Sequence, residues 1–502
     1  MAGTTPGFAG DGGPATRAQL DTPRDVAFLA DGTYVVADFN NDRIRHVRTD
    51  GTIETVAGDG SPGFAGDGGP AVDAELDQPR GVTALPGGGY LIADTFNDRI
   101  REVAPDGTIT TVATGLNHPS DTATTPDGGF LIADTDNSRI EKVAPDGTMT
   151  TVDTGPLDRP RDVSVADDGS ILIADTSANR IARVNPDGRV VTVAGNGAPG
   201  LSGDGDPAFF AGVDQPFSVS ALPHGGFVFA DTGNSRIRRV TPMGTIFTVA
   251  GTTPGDSGDD GLAKDAQLTD PGAITLAPGG GFLVADTGDA QIRRVSDIGA
   301  VPPAVPGHSI AIAPGSGSVS VRPAELPGYI PLQEEDLVPN GSDVEATSGD
   351  IQVTVAQDAG GGQITADLSD GPFRMTQGSS AAPFTDFHVP ALSGCGTTAR
   401  RASPRAVAAA VGPARKRKKK HPKPHRLFVR ESGGRWRSST GSTSASAVGT
   451  QWHTTLSCGG TRVTVDQGIV RVRDKLRKRN HLLQAGQTIL IKTSGPNRGA
   501  KR

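Results

Sequence analysis

Charged and polar residues that could bind a ligand recur just after regularly spaced prolines. The set comprises Arg24, Asp25, Arg80, Asp121, Arg161, Asp162 and Ser218. Guanidinium groups form paired hydrogen bonds with carboxylates and phosphates, and aspartate or serine oxygens can bind sugar hydroxyls. If the prolines surround one axis, these side chains could bind a small anion or a glycan. The alternative is a ring of salt bridges that fills the axis.

The prolines belong to a repeated unit of 36 residues. Six windows align, at residues 23–58, 79–114, 119–154, 160–195, 216–251 and 271–306. Each holds four short apolar runs, rich in β-branched residues and separated by Gly-containing or Asp/Asn-rich turns, which predicts strands in hairpins. Each window therefore predicts a four-stranded antiparallel sheet. Six such sheets bury both faces when they surround an axis, so we predict an all-β, six-bladed β-propeller over residues 1–300.

The pattern P-x-x-V…G-x-x-x-V-A-D-T-x-N-x-R-I…G resembles the NHL repeat over residues 1–306. The resemblance implies a binding platform, because NHL propellers mostly serve that purpose, and some related propellers are lactonases or lyases. Two functions follow as expectations. The first is a non-enzymatic extracytoplasmic binding protein, and the alternative is a metal-dependent lactonase- or lyase-type enzyme acting at the central channel. We assign no catalytic residue, since no propeller glutamate occupies a position after a strand-one proline.

The segments that join the windows differ in length. Residues 115–118 and 155–159 are short joins, whereas 59–78, 196–215 and 252–270 are long and residues 3–22 are a near copy. Insertions confined to one face mark it as the side that binds a protein or glycan ligand. Each long segment carries an aspartate in a Gly-rich setting: Asp11, Asp67, Asp204 and Asp259. We expect these to form loop-tip turns, with calcium as the weaker alternative; no other metal or cofactor is predicted.

An aspartate closes the second strand of every window, and Asn and Arg often follow at the third and fifth positions. The aspartates are Asp38, Asp94, Asp134, Asp175, Asp231 and Asp286. Because the motif recurs in every repeat, we predict a side-chain-to-backbone network that fixes each turn, and no catalytic role.

The first residues match the end of a repeat. Residues 1–7 align with Val249–Gly255, while the sixth window ends in the proline-rich GAVPPAVPG. Prolines remove donors from a strand ladder. We therefore expect the closing strand to lie mostly upstream of Met1, with an internal start or an incomplete sixth sheet. An upstream segment could have held a secretory signal, and we expect a secreted or envelope protein.

The second half has a different character. We divide it into a proline-rich linker at 301–307, the first half of a β-domain at 308–395, a basic disordered insertion at 396–426, a β-domain at 427–495 and a disordered tail at 496–502. Residues 446–492, with their VGT turn, Thr-Val alternation and late AGQ turn, resemble a FecR-type domain. The resemblance implies a smaller β-sandwich or β-roll-like module of the envelope or of signalling.

Charge is divided along the chain, because residues 396–502 hold 25 Lys and Arg against 3 acidic residues. The basic segment 400–430 predicts a solvated linker or a patch for an anionic partner, for which a cell-wall polymer, a membrane surface and nucleic acid all remain open. Cys395 and Cys458 could form a disulfide if the protein is exported, or remain free thiols if it is not. No apolar run is long enough for a transmembrane helix.

Overall fold

The computed structural model describes most of the first half of the chain and parts of the second. The described residues are 1–223, 225–296, 309–316, 319–323, 330–332, 336–339, 342–356, 363–377, 385–388, 425–431, 436–439, 443–447, 451–457, 460–467, 469–476 and 478–491. The chain divides into two compact units, Met1–Pro302 and Pro303–Arg502. Each unit is described by itself.

The first unit consists of short antiparallel strands in consecutive sheets. Five sheets have four strands and one has three. Their bounds, in chain order, are β1 Pro23–Phe28, β2 Tyr34–Asp38, β3 Arg43–Val47 and β4 Ile53–Ala57; β5 Pro79–Ala84, β6 Tyr90–Asp94, β7 Arg99–Val103 and β8 Ile109–Ala113; β9 Pro119–Thr124, β10 Phe130–Asp134, β11 Arg139–Val143 and β12 Met149–Thr151; β13 Pro160–Val165, β14 Ile171–Asp175, β15 Arg180–Val184 and β16 Val190–Ala194; β17 Pro216–Ala221, β18 Phe227–Asp231, β19 Arg236–Val240 and β20 Ile246–Ala250; β21 Pro271–Leu276, β22 Phe282–Asp286 and β23 Gln291–Val295.

Short 3₁₀ turns are the only helical elements among the described residues. Five follow the second strand of a sheet, at Phe39–Asn41, Thr95–Asn97, Thr135–Asn137, Thr232–Asn234 and Thr287–Asp289. Four lie in the long joining segments, at Ala15–Arg17, Ala71–Asp73, Ala208–Phe210 and Ala263–Asp265. The structure thus confirms the predicted all-β propeller and the strand order within its sheets.

The core of the propeller lies between neighbouring sheets. Second strands such as β2 and β6 are buried along their whole length because the sheets on both sides cover them. In each sheet the pairing of the first two strands shifts just after the strand-one proline, as between Pro23 and Asp25. This shift is a β-bulge that turns the next residues toward the axis.

The ends of the first unit meet. Strand β21 packs against β1, and the Thr287 hydroxyl donates a 2.7 Å hydrogen bond to the Pro23 carbonyl. Ala2 pairs with Ile292, as Ala57 pairs with Ile44 in the first sheet. Ala2 therefore pairs where the last residue of a fourth strand would lie, which agrees with the match of residues 1–7 to residues 249–255, and the sixth sheet itself has three strands in the described residues.

The second unit is also β-structure. Its strands are β24 Ser309–Ser316, β25 Val319–Arg322, β26 Ile330–Pro331, β27 Asp336–Pro339, β28 Asp343–Ala356, β29 Gln363–Gln377, β30 Thr385–His388, β31 His425–Glu431, β32 Trp436–Ser439, β33 Thr443–Ala447, β34 Gln451–Ser457, β35 Gly460–Gln467, β36 Ile469–Asp474, β37 Arg479–Gln484 and β38 Thr488–Ile491. Hydrogen bonds connect all of them into one sheet network, in which Ile351, Leu368, Trp452 and Val470 are buried.

Several predictions fall on residues that the structure does not describe. They concern the linker 301–307, the tail 496–502, both cysteines and the basic insertion, whose last two residues alone are described, as the start of β31. In the described part of the chain, no helix is long and apolar enough to cross a membrane.

Candidate functional site

The predicted charged residues meet around one axis of the propeller. A narrow cavity there is lined by all seven of them, namely Arg24, Asp25, Arg80, Asp121, Arg161, Asp162 and Ser218, together with the residues at the same repeat positions in the other sheets. The cavity measures about 30 Å³, which is room for about one water molecule. Side chains therefore close the axis, and a larger ligand must bind at the mouth.

The arginines at the mouth contact aromatic rings. Arg24 and Arg80 flank Phe39, with their guanidinium carbons 5.3 and 5.4 Å from the ring centroid, and Arg161 lies 4.0 Å from the Phe217 centroid. These are cation–π distances. Among the described residues, none of the three forms an ion pair, and the Nε atom of each is buried without a hydrogen-bond partner. The alternative prediction, a ring of salt bridges, is therefore wrong for the described residues.

Burial and mutual repulsion lower the pKa of these arginines. Burial lowers the pKa of Arg80 to about 9, and the nearby charges of Arg161 and Arg24 contribute to that shift. Burial, followed by repulsion from Arg24, lowers the pKa of Arg161 to about 10. The pKa of Arg24 is lowered as well, mainly by burial. A bound anion would relieve this repulsion between like charges.

At three of the six repeats, the residue after the arginine position connects neighbouring sheets. Asp25 accepts hydrogen bonds from the Val26 amide and, across the sheet boundary, from the Val82 amide, both at 2.7 Å. Asp162 accepts a 2.7 Å bond from the Val219 amide in the same way. At the corresponding place Ser218 Oγ accepts a bond from the next sheet. These side chains stabilise the propeller directly, so their first role is structural.

Asp121 differs from its equivalents, because its Oδ1 is buried without a hydrogen-bond partner. Gly81 has no side chain, and a Cβ there would lie 2.5 Å from Asp121 Oδ1. Burial raises the pKa of Asp121 well above its usual value, and repulsion from Asp25 and Asp162 raises it further. Burial also raises the pKa of Asp25 to about 7 and raises that of Asp162. These carboxyls therefore bind protons more tightly than free aspartates do, and a hydrogen bond links Asp121 to Asp162.

A second ring of side chains surrounds the mouth. The residue before each strand-one proline has a left-handed backbone, with φ between 45° and 58°: Thr22, Gln78, His118, Arg159, Gln215 and Asp270. Two depressions lie beside this ring. One of about 220 Å³ includes Arg80, Phe96 and Arg159, and one of about 390 Å³ includes Arg159 and Arg161. Both adjoin the short joining segments, and Arg159 belongs to both.

Sequence analysis missed Phe39. The corresponding residue is threonine in the other five sheets, and each threonine donates a hydrogen bond to the strand-one proline carbonyl of the next sheet. In the first sheet, Phe39 replaces that threonine and lies between two mouth arginines. The replacement of threonine by phenylalanine is visible in the sequence and could have identified Phe39 as an unusual position.

The aspartates of the long joining segments have a role that sequence analysis did not predict. Asp11, Asp67, Asp204 and Asp259 each bind a buried arginine 34 residues later: Arg45, Arg101, Arg238 and Arg293. The expected loop-tip turns are present, since each aspartate lies in a short turn, and the ion pair is an additional role. The sequence contains a clue to this ion pair, because only the windows that follow a long segment carry the arginine. No group of three or more His, Cys, Asp or Glu within the described ranges is placed to hold a metal ion.

The recurrent aspartates form the predicted network. Asp94, for example, accepts a 2.9 Å hydrogen bond from the Asp77 amide and another from the Asn97 side chain. Equivalent amide bonds reach the other five aspartates. Burial raises the pKa of Asp38, Asp94, Asp231 and Asp286 to about 6.

Comparisons with known proteins found one repeat family and part of a curated protein. The NHL repeat family model matches residues 116–142. Human Teneurin-1 is 36% identical over 92 residues, which are 15% of this chain and 3% of that protein, so the chain spans a small fraction of this curated relative.

Solved structures resemble the propeller at low identity. A structural genomics protein of unknown function from Bacteroides thetaiotaomicron has a TM-score of 0.48 and 18% identity, over 58% of this chain and 74% of that chain. An auxiliary nutrient binding protein from the same organism has a TM-score of 0.46 and 17% identity, over 58% and 75%. Virginiamycin B lyase from Staphylococcus aureus has a TM-score of 0.38 and 16% identity, over 55% and 84%.

Proposed function

We propose that the chain is a non-enzymatic, extracytoplasmic binding protein whose six-bladed NHL-type propeller binds an anionic ligand at the mouth of its axis. The ligand class is an acidic glycan or an acidic segment of a protein. Recognition uses Arg24, Arg80 and Arg161, with Arg159 beside them. We assign no cofactor to this binding, so a chelator such as EDTA should leave it unchanged.

One observation carries the proposal: three half-buried arginines, each with a buried Nε atom that has no hydrogen-bond partner, meet at the mouth without an ion pair among the described residues. Partial burial of a charge without a partner is unfavourable, and these like charges also repel one another. An anion would supply the missing acceptors, and each charge-assisted hydrogen bond contributes about 1.5–3 kcal/mol.

The surroundings of the arginines favour an extended ligand over a single small ion. The depressions of about 220 and 390 Å³ lie beside the mouth and share Arg159. Phe96, which is 48% exposed, offers an apolar ring to the face of a sugar. A chain of two or three acidic sugars could therefore place carboxylates on the arginines and rings on the aromatic residues.

The second unit supports an envelope role only through its resemblance. Strands β34 to β38 cover most of the stretch 446–492 that resembles a FecR-type domain. We propose that this unit is an envelope or signalling module and that the basic segment 400–430 binds an anionic cell-wall polymer. Pairing of Cys395 with Cys458 belongs to the same proposal, because disulfides persist outside the cytoplasm.

The enzymatic alternative has one feature in its favour. The pKa of Asp25 is about 7, which suits a general acid or base near neutral pH. However, both of its oxygens accept main-chain hydrogen bonds beneath the arginines. We therefore keep binding as the proposal.

Calorimetric titration of the full-length protein with oligogalacturonate tests the proposal. We expect Arg80→Ala and Arg161→Ala each to weaken binding by roughly 10–100-fold, the equivalent of one charge-assisted hydrogen bond. Arg48→Ala is the control, since Arg48 is an exposed arginine that pairs with Glu54. Binding of the fully methyl-esterified oligomer with equal affinity, or unchanged affinity in both mouth variants, would contradict the proposal. Breakdown of the oligomer by the protein would favour the enzyme.

A further inference from the structure

Four joining segments act as wedges between neighbouring sheets. We call them the wedge segments, residues 10–20, 66–76, 203–213 and 258–268. In the second of them Ala71, Ala74 and Leu76 are buried in one apolar cluster with Val35 of the first sheet and Ile109 of the second. The wedge segment therefore fills the junction between the two sheets.

A wedge segment also covers the outer edge of the sheet that follows it. The Ala71 amide donates to the Gly107 carbonyl, the Gly68 amide donates to the Ile109 carbonyl, and the Ile109 amide donates to the Gly69 carbonyl, at 2.8 to 3.0 Å. Ile109, on the outermost strand of its sheet, is fully buried as a result. The first and fifth sheets repeat this arrangement.

The third sheet has no wedge segment, because the join 115–118 is too short to provide one. Its outermost strand, β12, is exposed at all three residues. Met149 stands where the repeat elsewhere has the buried Ile109, and it is 37% exposed. Its outer edge receives none of the wedge hydrogen bonds seen at Ile109. An open strand edge of this kind is a template for another polypeptide.

A cleft of about 340 Å³ lies between the second and third sheets. Leu91 and Val112 line it from the second sheet, and Phe130, Val143 and Gly147 line it from the third. Gly147 corresponds in the repeat to Gly107, whose carbonyl binds the wedge segment in the second sheet. The cleft is thus mostly apolar, and Gly147 belongs to the turn that leads into β12.

At this junction a buried glutamate stands where the filled junctions have a buried arginine. Where a wedge segment is present, its aspartate binds a buried arginine, as Asp67 binds Arg101 at 2.7 Å. In the third sheet the position of Arg101 is taken by Glu141, which is 3% exposed. Glu141 binds Arg139 and Thr151 through Oε1. A segment with aspartate at the wedge position would bring two carboxylates together, whereas one with lysine would form the reversed ion pair.

We propose that the groove formed by β12 and the adjacent cleft binds an extended segment of a partner protein. The segment adds to the free edge of β12 through main-chain hydrogen bonds and places small apolar residues in the cleft. It carries a basic residue where the wedge segments carry aspartate. The four wedge segments support this choice, because each is a polypeptide that occupies the equivalent groove at another junction.

Two peptides test the proposal. One copies residues 65–77, AGDGGPAVDAELD, and the other replaces its aspartate at position 67 by lysine, AGKGGPAVDAELD. Each is labelled with fluorescein and titrated with the full-length protein by anisotropy. We expect the lysine peptide to bind roughly tenfold more tightly, through the pair with Glu141. In the Glu141→Gln variant that preference should shrink to about twofold or less.

A matched pair of variants locates the site. Val112→Glu places a charge in the open cleft and should abolish binding of the lysine peptide. Val56→Glu makes the same change at the equivalent position of the junction that a wedge segment fills, and should leave binding unchanged. Circular dichroism checks that both variants fold. Failure of the lysine peptide to bind at millimolar protein, equal loss in both valine variants, or an undiminished preference in Glu141→Gln would each overturn the proposal.

Discussion

Replacing Asp121 by asparagine should change how the stability of the propeller depends on pH. The Asp121 carboxyl is buried beside Asp25 and Asp162, and burial and repulsion raise its pKa well above the usual value of 3.8. The folded state therefore binds a proton that the unfolded state releases above about pH 4. Because the folded pKa is the higher one, the stability of the wild type falls as pH rises through this window.

The expected change in unfolding free energy corresponds to one proton that is bound on folding. Each pH unit changes the unfolding free energy by about 1.4 kcal/mol for one proton bound on folding. Asparagine is neutral at every pH, and its amide can donate to Asp162 as the protonated carboxyl does. The unfolding free energy of Asp121→Asn relative to wild type should thus rise by about 1.4 kcal/mol per pH unit between roughly pH 5 and pH 7.

Pulse proteolysis in urea, performed at pH 5, 6, 7 and 8 and followed through propeller peptides, measures this difference. Both tryptophans lie outside the propeller, so intrinsic tryptophan emission would report the other unit. Asp127→Asn is the control, because Lys142 and Thr125 lower the pKa of that exposed aspartate to about 2. Its ionisation therefore changes the stability only at pH values below the measured range. A constant difference between Asp121→Asn and wild type from pH 5 to pH 8 would refute the reasoning.

Two further variants test the contacts that hold the sheets together. Arg101→Met leaves the buried Asp94 carboxylate and the exposed Asp67 carboxylate without their cation and should lower the unfolding free energy by about 3–5 kcal/mol. Arg183→Met breaks an exposed pair and should lower it by about 1 kcal/mol or less. Urea unfolding compares the two variants, and equal losses would contradict the assignment. Thr287→Val removes the hydroxyl that joins the sixth sheet to Pro23 and should lower the unfolding free energy by about 1 kcal/mol. An unchanged midpoint of urea unfolding would show that this bond does not contribute to closure of the ring.

The positions at the mouth could be predicted from the sequence because a repeat fixes radial position. Residues at the same place in each window lie at the same distance from the axis, so Arg24, Arg80 and Arg161 meet although they are far apart in the chain. Their partners could not be predicted in this way. Whether a guanidinium contacts Phe39 or a carboxylate depends on side-chain directions that periodicity does not encode.

The long joining segments show a different limit of sequence reasoning. A Gly-rich setting around Asp67 favours a turn when it is considered alone, and the local motif offers no reason to look 34 residues ahead. The ion pair with Arg101 arises because the segment returns along the outer strand of the next sheet. Comparing windows within the chain would have found it, since the aspartate and the arginine are present or absent together.

The departures from the repeat are where this propeller can select a ligand. Interactions that recur in every sheet, such as the aspartate network, fix the scaffold and offer six equal surroundings around the axis. A single asymmetric ligand needs surroundings that differ. Phe39 in place of threonine and the two short joins break the equivalence on one part of the ring. Changes at these positions should therefore alter binding more than stability, and changes in the recurrent network should do the reverse.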